Sequence, residues 1–319
     1  MHTLSTSGTN GAVQLPPSGA QFEISSGDQR ATIVELGAAL RTYSVGSRDR
    51  VDGYARDEMC SGSRGQVLVP WPNRIAEGSY EFRGERHQLA LNEPATRNAI
   101  HGLVRWATWT VAAHAGDRVT MRYSLLPQPG YPFFIGLEIE YALGDDGLRA
   151  RSTATNVGPD ACPYGAGFHP YLRLDPERID GLELQCPAAA YFPSDERKIP
   201  IGCEPVTGSP FDFREPRAIG TTQIDHAFTE IERGRDGNAT VRLRDPATGD
   251  TVALWFDANY EYLMLFTGDS LPDTHRRRGL AVEPMTCAPN AFRTGAGLQV
   301  LEPGQTVSAT WGISTGIRA

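Results

Sequence analysis

Five ionisable side chains stand beside glycine, proline or aromatic residues in short, separate stretches of the chain: Arg74, His101, His169, Asp225 and Glu283. Histidine exchanges protons near neutral pH, and a carboxylate that burial deprives of water becomes a stronger base. Together they provide the two partners of a general acid–base reaction. Arginine adds a rigid fork of donors, which suits hydroxyl groups. The residue types therefore favour proton transfer on a polyhydroxylated small molecule.

The two histidines have neighbours that are typical of a sugar site. His101 lies in "NAIHGLVRW", with a glycine after it and tryptophans beyond, and His169 lies in "YGAGFHPYLRL". Aromatic rings stack on the apolar faces of sugars, while polar groups bind the hydroxyls. The alternative for each is a core histidine that is satisfied by a backbone carbonyl or packed among neighbouring aromatic residues.

The remaining three residues also have ordinary interpretations. Glu283 ends the apolar run "GLAVE", so it is either a partly desolvated base or a solvated strand-end carboxylate. Asp225 in "TQIDHAF" fits a sugar contact or simple turn chemistry. Arg74 in "PWPNRI" is either a surface ion pair or a donor held stiffly by the prolines around Trp71.

Several function classes are disfavoured by what the sequence lacks. There is no Gly-rich phosphate loop, GxSxG or HExxH motif and no closely paired histidines, which predicts neither cofactor nor metal. A net charge of −8 argues against nucleic-acid binding, and no apolar run is long enough for a membrane helix. Five scattered cysteines without a CxxC pair favour reduced thiols and a cytoplasmic location. A small-molecule ligand remains, bound by a monomer or a homodimer.

The elements that must position these residues are mostly strands. The stretches "RVTMRYSLL", "LEIEYAL" and "TVSATWGIS" alternate apolar and polar residues, which predicts strands with one buried face. Turn residues separate them, so residues 119–155 are predicted to form an antiparallel meander. With 34 Gly and 23 Pro, long helices are not expected. We expect an all-β protein: a disordered polar tail over residues 1–20 and one large antiparallel β-sandwich over residues 21–319.

The motifs taken together resemble a known family. "NRI" with "G.Y.F.G", then "N...AIHG", "GFHPYL", "IDHAF" and "VEPMTCAPNAF", occur in the order seen in the aldose 1-epimerases, also called galactose mutarotases. The resemblance covers the chain from about residue 20 to the end. The forms "GQVLVPWPNRI", "AIHGLVRW" and "GLAVEPMTCAPNAF" are most similar to a bacterial subgroup that includes sulfoquinovose mutarotase.

The resemblance implies a fold, an activity and a role for each site residue. The fold would be the galactose mutarotase-like supersandwich. The activity would be interconversion of the α and β anomers of a free hexose or hexose derivative, without a cofactor. By resemblance the catalytic base is Glu283 and the acid is His169, and the remaining family positions contact the sugar: Asn73, Arg74, His101 and Asp225. One departure is Met264, which stands where the family commonly has a sugar-binding glutamine and so leaves galactose preference open.

Three alternatives remain at this point. A glycoside hydrolase or lyase on a similar sandwich would use Asp225 and Glu283 as its two carboxylates. A non-catalytic carbohydrate-binding protein would need the aromatic residues but no acid–base pair. The substrate could instead be a phosphorylated or sulfonated hexose, with Arg105, Arg173 or the run "HRRR" (residues 275–278) as anion contacts.

Overall fold

The structure, a computed structural model, describes residues 15–315. Most of the expected N-terminal tail, residues 1–14, lies outside these described residues. Strands account for most of the regular structure, as the alternating stretches predict. Their bounds are β1 (Gln21–Ser26), β2 (Gln29–Val34), β3 (Leu40–Val45), β4 (Arg48–Asp49), β5 (Val67–Leu68), β6 (Arg74–Ala76), β7 (Ser79–Phe82), β8 (Glu85–Gln88), β9 (Asn98–Ile100), β10 (Thr110–His114), β11 (Arg118–Leu125), β12 (Ile135–Gly144), β13 (Gly147–Asn156), β14 (Cys162–Tyr164), β15 (Gly167–Phe168), β16 (Tyr171–Leu172), β17 (Glu183–Gln185), β18 (Ala188–Phe192), β19 (Glu204–Pro205), β20 (Arg217–Ala218), β21 (Asp225–Ile231), β22 (Ala239–Arg244), β23 (Thr251–Phe256), β24 (Tyr262–Phe266), β25 (Leu280–Met285), β26 (Gln299–Leu301) and β27 (Thr306–Thr315).

Helical structure is scarce in the described part of the chain. It consists there of a 3₁₀ turn at Ile179–Gly181 and one α-helical turn, α1, at Ala291–Thr294. Within residues 15–315, no helix has the length and apolarity needed to cross a membrane. Four of the five cysteines are buried and all five are free thiols. The expectation of reduced, mostly buried thiols is therefore confirmed.

Two large antiparallel sheets carry the fold. One has nine strands in the order β10-β11-β12-β13-β27-β23-β22-β17-β20, and the other has the order β19-β18-β21-β24-β25-β15-β5, with β16 also pairing with β25. A four-stranded sheet, β1 to β4, and three two-stranded ribbons complete the architecture of residues 15–315. The all-β prediction is confirmed, and β11, β12 and β13 form the predicted meander.

Side-chain alternation explains why these strands form and where the core lies. In β12, Leu137, Ile139 and Tyr141 are buried while the residues between them are half-buried, as period-two patterning requires. The two large sheets meet through their inner faces, where the ring of Phe168 lies 5.2 Å from that of Trp311. One hydrophobic core therefore runs between the sheets, from Ile24 to Ile313.

Strand β25 breaks the alternation. All six of its residues are buried, and it pairs with β24 along one edge and with β15 and β16 along the other. A strand with neighbours on both edges and cover on both faces shows no alternation. Glu283 is the fourth residue of this strand and is 2% exposed. The interpretation of Glu283 as a solvated strand-end carboxylate is wrong.

Candidate active site

A cavity of about 370 Å³ lies over the middle of the eight-stranded sheet. Volumes of this order suit small-molecule sites. The segments that line it come from distant parts of the chain: the start of β6, the turn after β9, the β15–β16 junction, the start of β21 and the middle of β25. All six residues singled out in the sequence line it: Asn73, Arg74, His101, His169, Asp225 and Glu283. Their roles stay predictions, but their convergence is a property of the fold.

His169 and Glu283 contact each other at the bottom of this cavity. Nε2 of the imidazole lies 3.2 Å from Oε1 of the carboxyl group, and both side chains are almost fully buried. Burial lowers the pKa of His169 to about 3 and raises the pKa of Glu283 well above its ordinary range. Burial therefore favours the neutral forms of both groups, so a proton that the pair shares is favoured on the carboxyl group.

His101 is fixed in a single tautomer by the backbone of Asn73. The Asn73 amide donates to Nδ1 of His101 at 3.2 Å, and the His101 amide donates to the Asn73 carbonyl oxygen at 2.9 Å. Because Nδ1 accepts a hydrogen bond, Nε2 carries the proton. Burial also lowers the pKa of His101, which keeps it neutral. His101 can therefore donate one hydrogen bond to a ligand oxygen at any pH near neutrality.

The backbone around His101 explains the glycine that follows it. His101 and Gly102 both have positive φ angles, of 62° and 66°. A Cβ atom at Gly102 would lie 2.0 Å from the carbonyl oxygen of Val69, so only glycine fits. The close approach places His101 directly above the segment that leads to Arg74.

The imidazoles of His101 and His169 and the Glu283 carboxyl group are close enough to suggest a metal site. One donor atom from each lies within 4.8 Å of the others. The hydrogen bond from Asn73 opposes this use, because Nδ1 of His101 is occupied and Nε2 presents a proton instead of a lone pair. The donor set therefore does not fit a metal ion.

Arg74 is oriented by Glu93, which the sequence gave no reason to select. Its Nε and Nη2 atoms each donate to the Glu93 carboxylate at 2.8 Å, and Thr96 and Asn98 donate to the same carboxylate. Nη1 makes no hydrogen bond within residues 15–315, which leaves it for a ligand. The prolines shape the backbone beside Trp71, whereas this ion pair fixes the guanidinium. Glu93 follows "LN" in a turn, and no local pattern distinguishes it from a solvated glutamate.

Asp225 and Met264 lie on neighbouring strands beside His169 and Glu283. Lys198 contacts the Asp225 carboxylate at 3.1 Å, and Asp225 is half-buried. Met264 pairs across the strands with Glu283, is 5% exposed and lines the cavity. The position that departs from the family pattern therefore does face the site. A thioether there offers packing where glutamine would offer hydrogen bonds.

The three candidate anion contacts differ in whether a carboxylate already pairs with them. Arg173 and Arg278 are paired with Asp52, and Arg277 is paired with Asp180 and Asp269. Arg105 lines the cavity and has no carboxylate partner among residues 15–315. Its Nη1 donates to the Ser63 hydroxyl at 3.1 Å, and its buried Nε has no hydrogen-bond partner in the described part of the chain.

The comparison with known families decides the classification. A sequence model of the family described as aldose 1-epimerase matches residues 20–314. The chain belongs to the aldose 1-epimerase family. Membership agrees with the order of the motifs and with the antiparallel sheets, and it supports a mutarotase-like enzyme.

Relatives and solved structures agree with this assignment. The chain is 35% identical over 289 residues to an uncharacterized Escherichia coli K12 protein, YihR, covering 90% of this chain and 91% of that one. It is 26% identical to the galactose mutarotase of Mus musculus, covering 85% and 84% of the two chains. The GalM/aldose epimerase homologue from C. elegans shares the fold with a TM-score of 0.84 at 20% identity, covering 93% and 98% of the chains. The galactose 1-epimerase from Lactobacillus acidophilus shares it with a TM-score of 0.74 at 20% identity, covering 92% and 93%.

Proposed function

We propose that this aldose 1-epimerase family member interconverts the anomers of a hexose by acid–base ring opening and closure. The observation that carries the proposal is the 3.2 Å contact between His169 and Glu283 inside a sugar-sized cavity. An acid and a base placed side by side can transfer protons to and from a substrate that contacts both. Arg74 and Asp225 supply a donor and an acceptor for hydroxyl groups beside that pair.

Burial favours the neutral forms of both His169 and Glu283. Mutarotation needs an ionised Glu283 and a protonated His169, which is the other distribution of the same single proton. A bound sugar brings hydroxyl groups that can hydrogen-bond to the Glu283 carboxylate, and this favours the charged form against burial and the nearby Asp225 charge. Substrate binding therefore moves the proton across the 3.2 Å gap to the imidazole.

The reaction then needs two proton transfers in each direction. Glu283 removes the proton from the anomeric hydroxyl, and His169 donates its proton to the ring oxygen. The bond between the anomeric carbon and the ring oxygen breaks, which leaves an open-chain aldehyde. Rotation about the C1–C2 bond presents the other face of the carbonyl group. Reversal of both transfers closes the ring as the other anomer, and the enzyme returns to its starting protonation state.

His101 supports this reaction without changing its own protonation. Its fixed Nε2–H group can donate to the ring-oxygen region in both the closed and the open form of the sugar. Because His101 stays neutral, it does not compete with His169 for the proton. The backbone amide of Asn73 orients His101, and its side chain is expected to contact the sugar as well.

The substrate we favour is a hexose with an anionic substituent. Arg105 is the observation that supports this, because its guanidinium lines the cavity without a carboxylate to neutralise it. A partly buried cation without an anion is unfavourable unless a ligand supplies one. Met264 also supports an anionic substrate, because it replaces the glutamine amide that would be expected to contact a neutral galactose.

Anomer-exchange NMR tests both levels of the proposal. Glucose, galactose, a hexose 6-phosphate and sulfoquinovose are compared on the wild type, Glu283→Gln and His169→Asn. We expect each variant to lower kcat by about 10²- to 10⁴-fold, the range typical of acid–base groups. A Glu283→Gln variant that equilibrates anomers at the wild-type rate would remove the base assignment and favour a binding protein. Release of free sugar from a glycoside would favour a hydrolase instead.

The substrate level has its own control. Arg105→Met should raise KM for the anionic hexoses by about tenfold to a hundredfold, the value of a charge-assisted hydrogen bond, and leave neutral hexoses nearly unaffected. Arg122→Met is the matched control, because Arg122 is exposed and pairs with Glu138 away from the cavity. Equal effects of Arg105→Met on neutral and anionic sugars would refute the anionic assignment.

A further inference from the structure

The imidazole of His169 lacks the hydrogen bond that usually orients a catalytic histidine. Its Nδ1 atom is buried without a partner in residues 15–315, and its Nε2 atom faces Glu283. Its amide and carbonyl groups bond to Gln66 and Gly65, but these contacts fix only the backbone. Packing must therefore act with the Nε2 contact to set the plane of the ring.

Tyr171 provides that packing. Its ring stacks on the imidazole with centroids 5.0 Å apart and an interplanar angle of 22°, while His101 meets the same imidazole edge-on at 5.4 Å and 78°. The Tyr171 hydroxyl donates to the Gly62 carbonyl oxygen at 2.8 Å, and the Arg64 guanidinium lies 4.9 Å from the ring centroid. Stacking on a ring that is itself fixed restricts how far the imidazole can tilt.

The Tyr171 ring is anchored in turn by a buried cluster of charges. The Asp52 carboxylate forms ion pairs with the guanidinium groups of Arg64 at 3.2 Å, Arg173 at 3.1 Å and Arg278 at 3.2 Å. The Asp52 amide donates to the Tyr171 carbonyl oxygen at 2.8 Å. The three arginines come from the segments before β5, after β16 and before β25. The cluster therefore ties together the strands on either side of His169.

We propose that Tyr171 is a positioning residue for His169, held in place by Arg64 and the Asp52 carboxylate. The inference rests on the proposed function in one respect, that His169 is the acid whose orientation matters. Its physical basis is that a reacting group must be placed to within a fraction of an ångström, and a displacement of about 1 Å can cost about 10²-fold in rate. Because Nδ1 has no partner among residues 15–315, the stacked ring is needed beside the Glu283 contact to limit such a displacement.

The charged groups around His169 determine how its protonation responds. Glu283 contacts it, His101 packs against it, and Arg64, Arg105 and Arg74 disfavour its positive charge. Burial is the largest cause of its lowered pKa. Removing the Tyr171 ring admits water beside the imidazole, so the pKa of His169 should rise from about 3 toward its ordinary value of about 6.5.

The test compares Tyr171→Leu with Tyr171→Phe in the full chain. Tyr171→Leu should lower kcat by about 10²-fold with a change in KM of less than about threefold, because the sugar-binding groups remain. Tyr171→Phe keeps the stacked ring and should recover most of that loss. Tyr260→Leu is the matched control for removing a buried tyrosine, since Tyr260 is fully buried and bonds to Ser152 outside this cavity.

A second readout does not depend on turnover. NMR titration of isotope-labelled histidine in the ligand-free protein should show an upward shift of the His169 pKa in Tyr171→Leu and none in Tyr260→Leu. If the wild type fails to equilibrate any hexose, the proposed function fails, but this titration still tests whether Tyr171 holds His169. An unchanged His169 titration, equal losses in Tyr171→Leu and Tyr260→Leu, or a raised KM with unchanged kcat would overturn the positioning role.

Discussion

The ion pair between Arg74 and Glu93 offers the sharpest test of how the site binds its ligand. Removing the carboxylate with Glu93→Ala leaves Arg74 in place but frees both of its 2.8 Å contacts. The guanidinium then loses the orientation that presents Nη1 to the cavity. Sugar binding should weaken although Arg74 itself is unchanged.

The magnitude follows from the bonds involved. A hydrogen bond to a charged group is worth about 1.5–3 kcal/mol, and about 1.4 kcal/mol corresponds to a factor of ten in affinity. Loss of one well-oriented bond from Arg74 to a hydroxyl should therefore raise KM by about tenfold to a hundredfold. We expect kcat to fall less, because the His169–Glu283 pair is not altered. The free energy of unfolding should also fall by about 1–3 kcal/mol, since the side chains of Arg74 and Glu93 are only 14% and 24% exposed.

The assay is anomer-exchange kinetics on Glu93→Ala, Arg74→Ala and the double variant, with urea unfolding of each. Because Glu93 acts through Arg74, the losses should be non-additive, with a coupling energy of about 1–3 kcal/mol. Glu183→Ala is the control, because Glu183 pairs with Arg244 at the same 2.8 Å but at an exposed position. Wild-type KM in Glu93→Ala, or additive losses in the double variant, would refute the proposed orientation of Arg74.

Three further expectations concern the pair and its neighbour. The pH–rate profile should be bell-shaped: kcat falls at acid pH toward the lowered His169 pKa of about 3, when the pair takes a second proton, and at alkaline pH when it loses its only proton; a rate that shows no alkaline fall up to about pH 10 would contradict a shared proton. Glu283→Gln should raise the melting temperature, and the increase should become larger as pH rises. The reason is that the pKa of the carboxyl group is raised in the folded protein, so its ionisation opposes folding by about 1.4 kcal/mol per pKa unit. A difference in melting temperature that does not vary with pH would argue against the raised pKa. Met264→Gln should change the ratio of kcat/KM values across neutral and anionic hexoses, and unchanged ratios would show that this side chain does not contact the sugar.

The strands could be predicted wherever one face is exposed. Leu137, Ile139 and Tyr141 alternate with more exposed residues, so periodicity alone identifies β12. Strand β25 could not be placed in the same way, because burial on both faces removes the alternation. The sequence therefore placed Glu283 at the end of a strand, whereas it lies inside one. The same burial is what raises the pKa of Glu283.

The sequence predicted the residue types of the candidate site but not the residues that hold them in position. His169, Glu283 and Arg74 lie in recognisable motifs, and the fold brings them to one cavity. Glu93 and Tyr171 were not predicted. Glu93 meets Arg74 from another segment, and Tyr171 stacks on nearby His169 but is itself held by Gly62 and Arg64, which lie far earlier in the chain. A glutamate in a turn and a tyrosine beside a histidine look ordinary until the tertiary structure shows what they touch. Local sequence patterns are better at identifying candidate reactive residues than at identifying the residues that position them.

The position of Glu283 inside β25 has a consequence for how the protein loses activity and unfolds on heating. A side chain carried by a loop can be lost through local opening, while the rest of the fold survives. Here the carboxyl group belongs to a fully buried strand that is hydrogen-bonded along both edges. Releasing it requires separation of the central strands of a sheet, which is equivalent to unfolding the domain. Inactivation and global unfolding should therefore share one transition, and the amide of Glu283 should be among the last to exchange with deuterium.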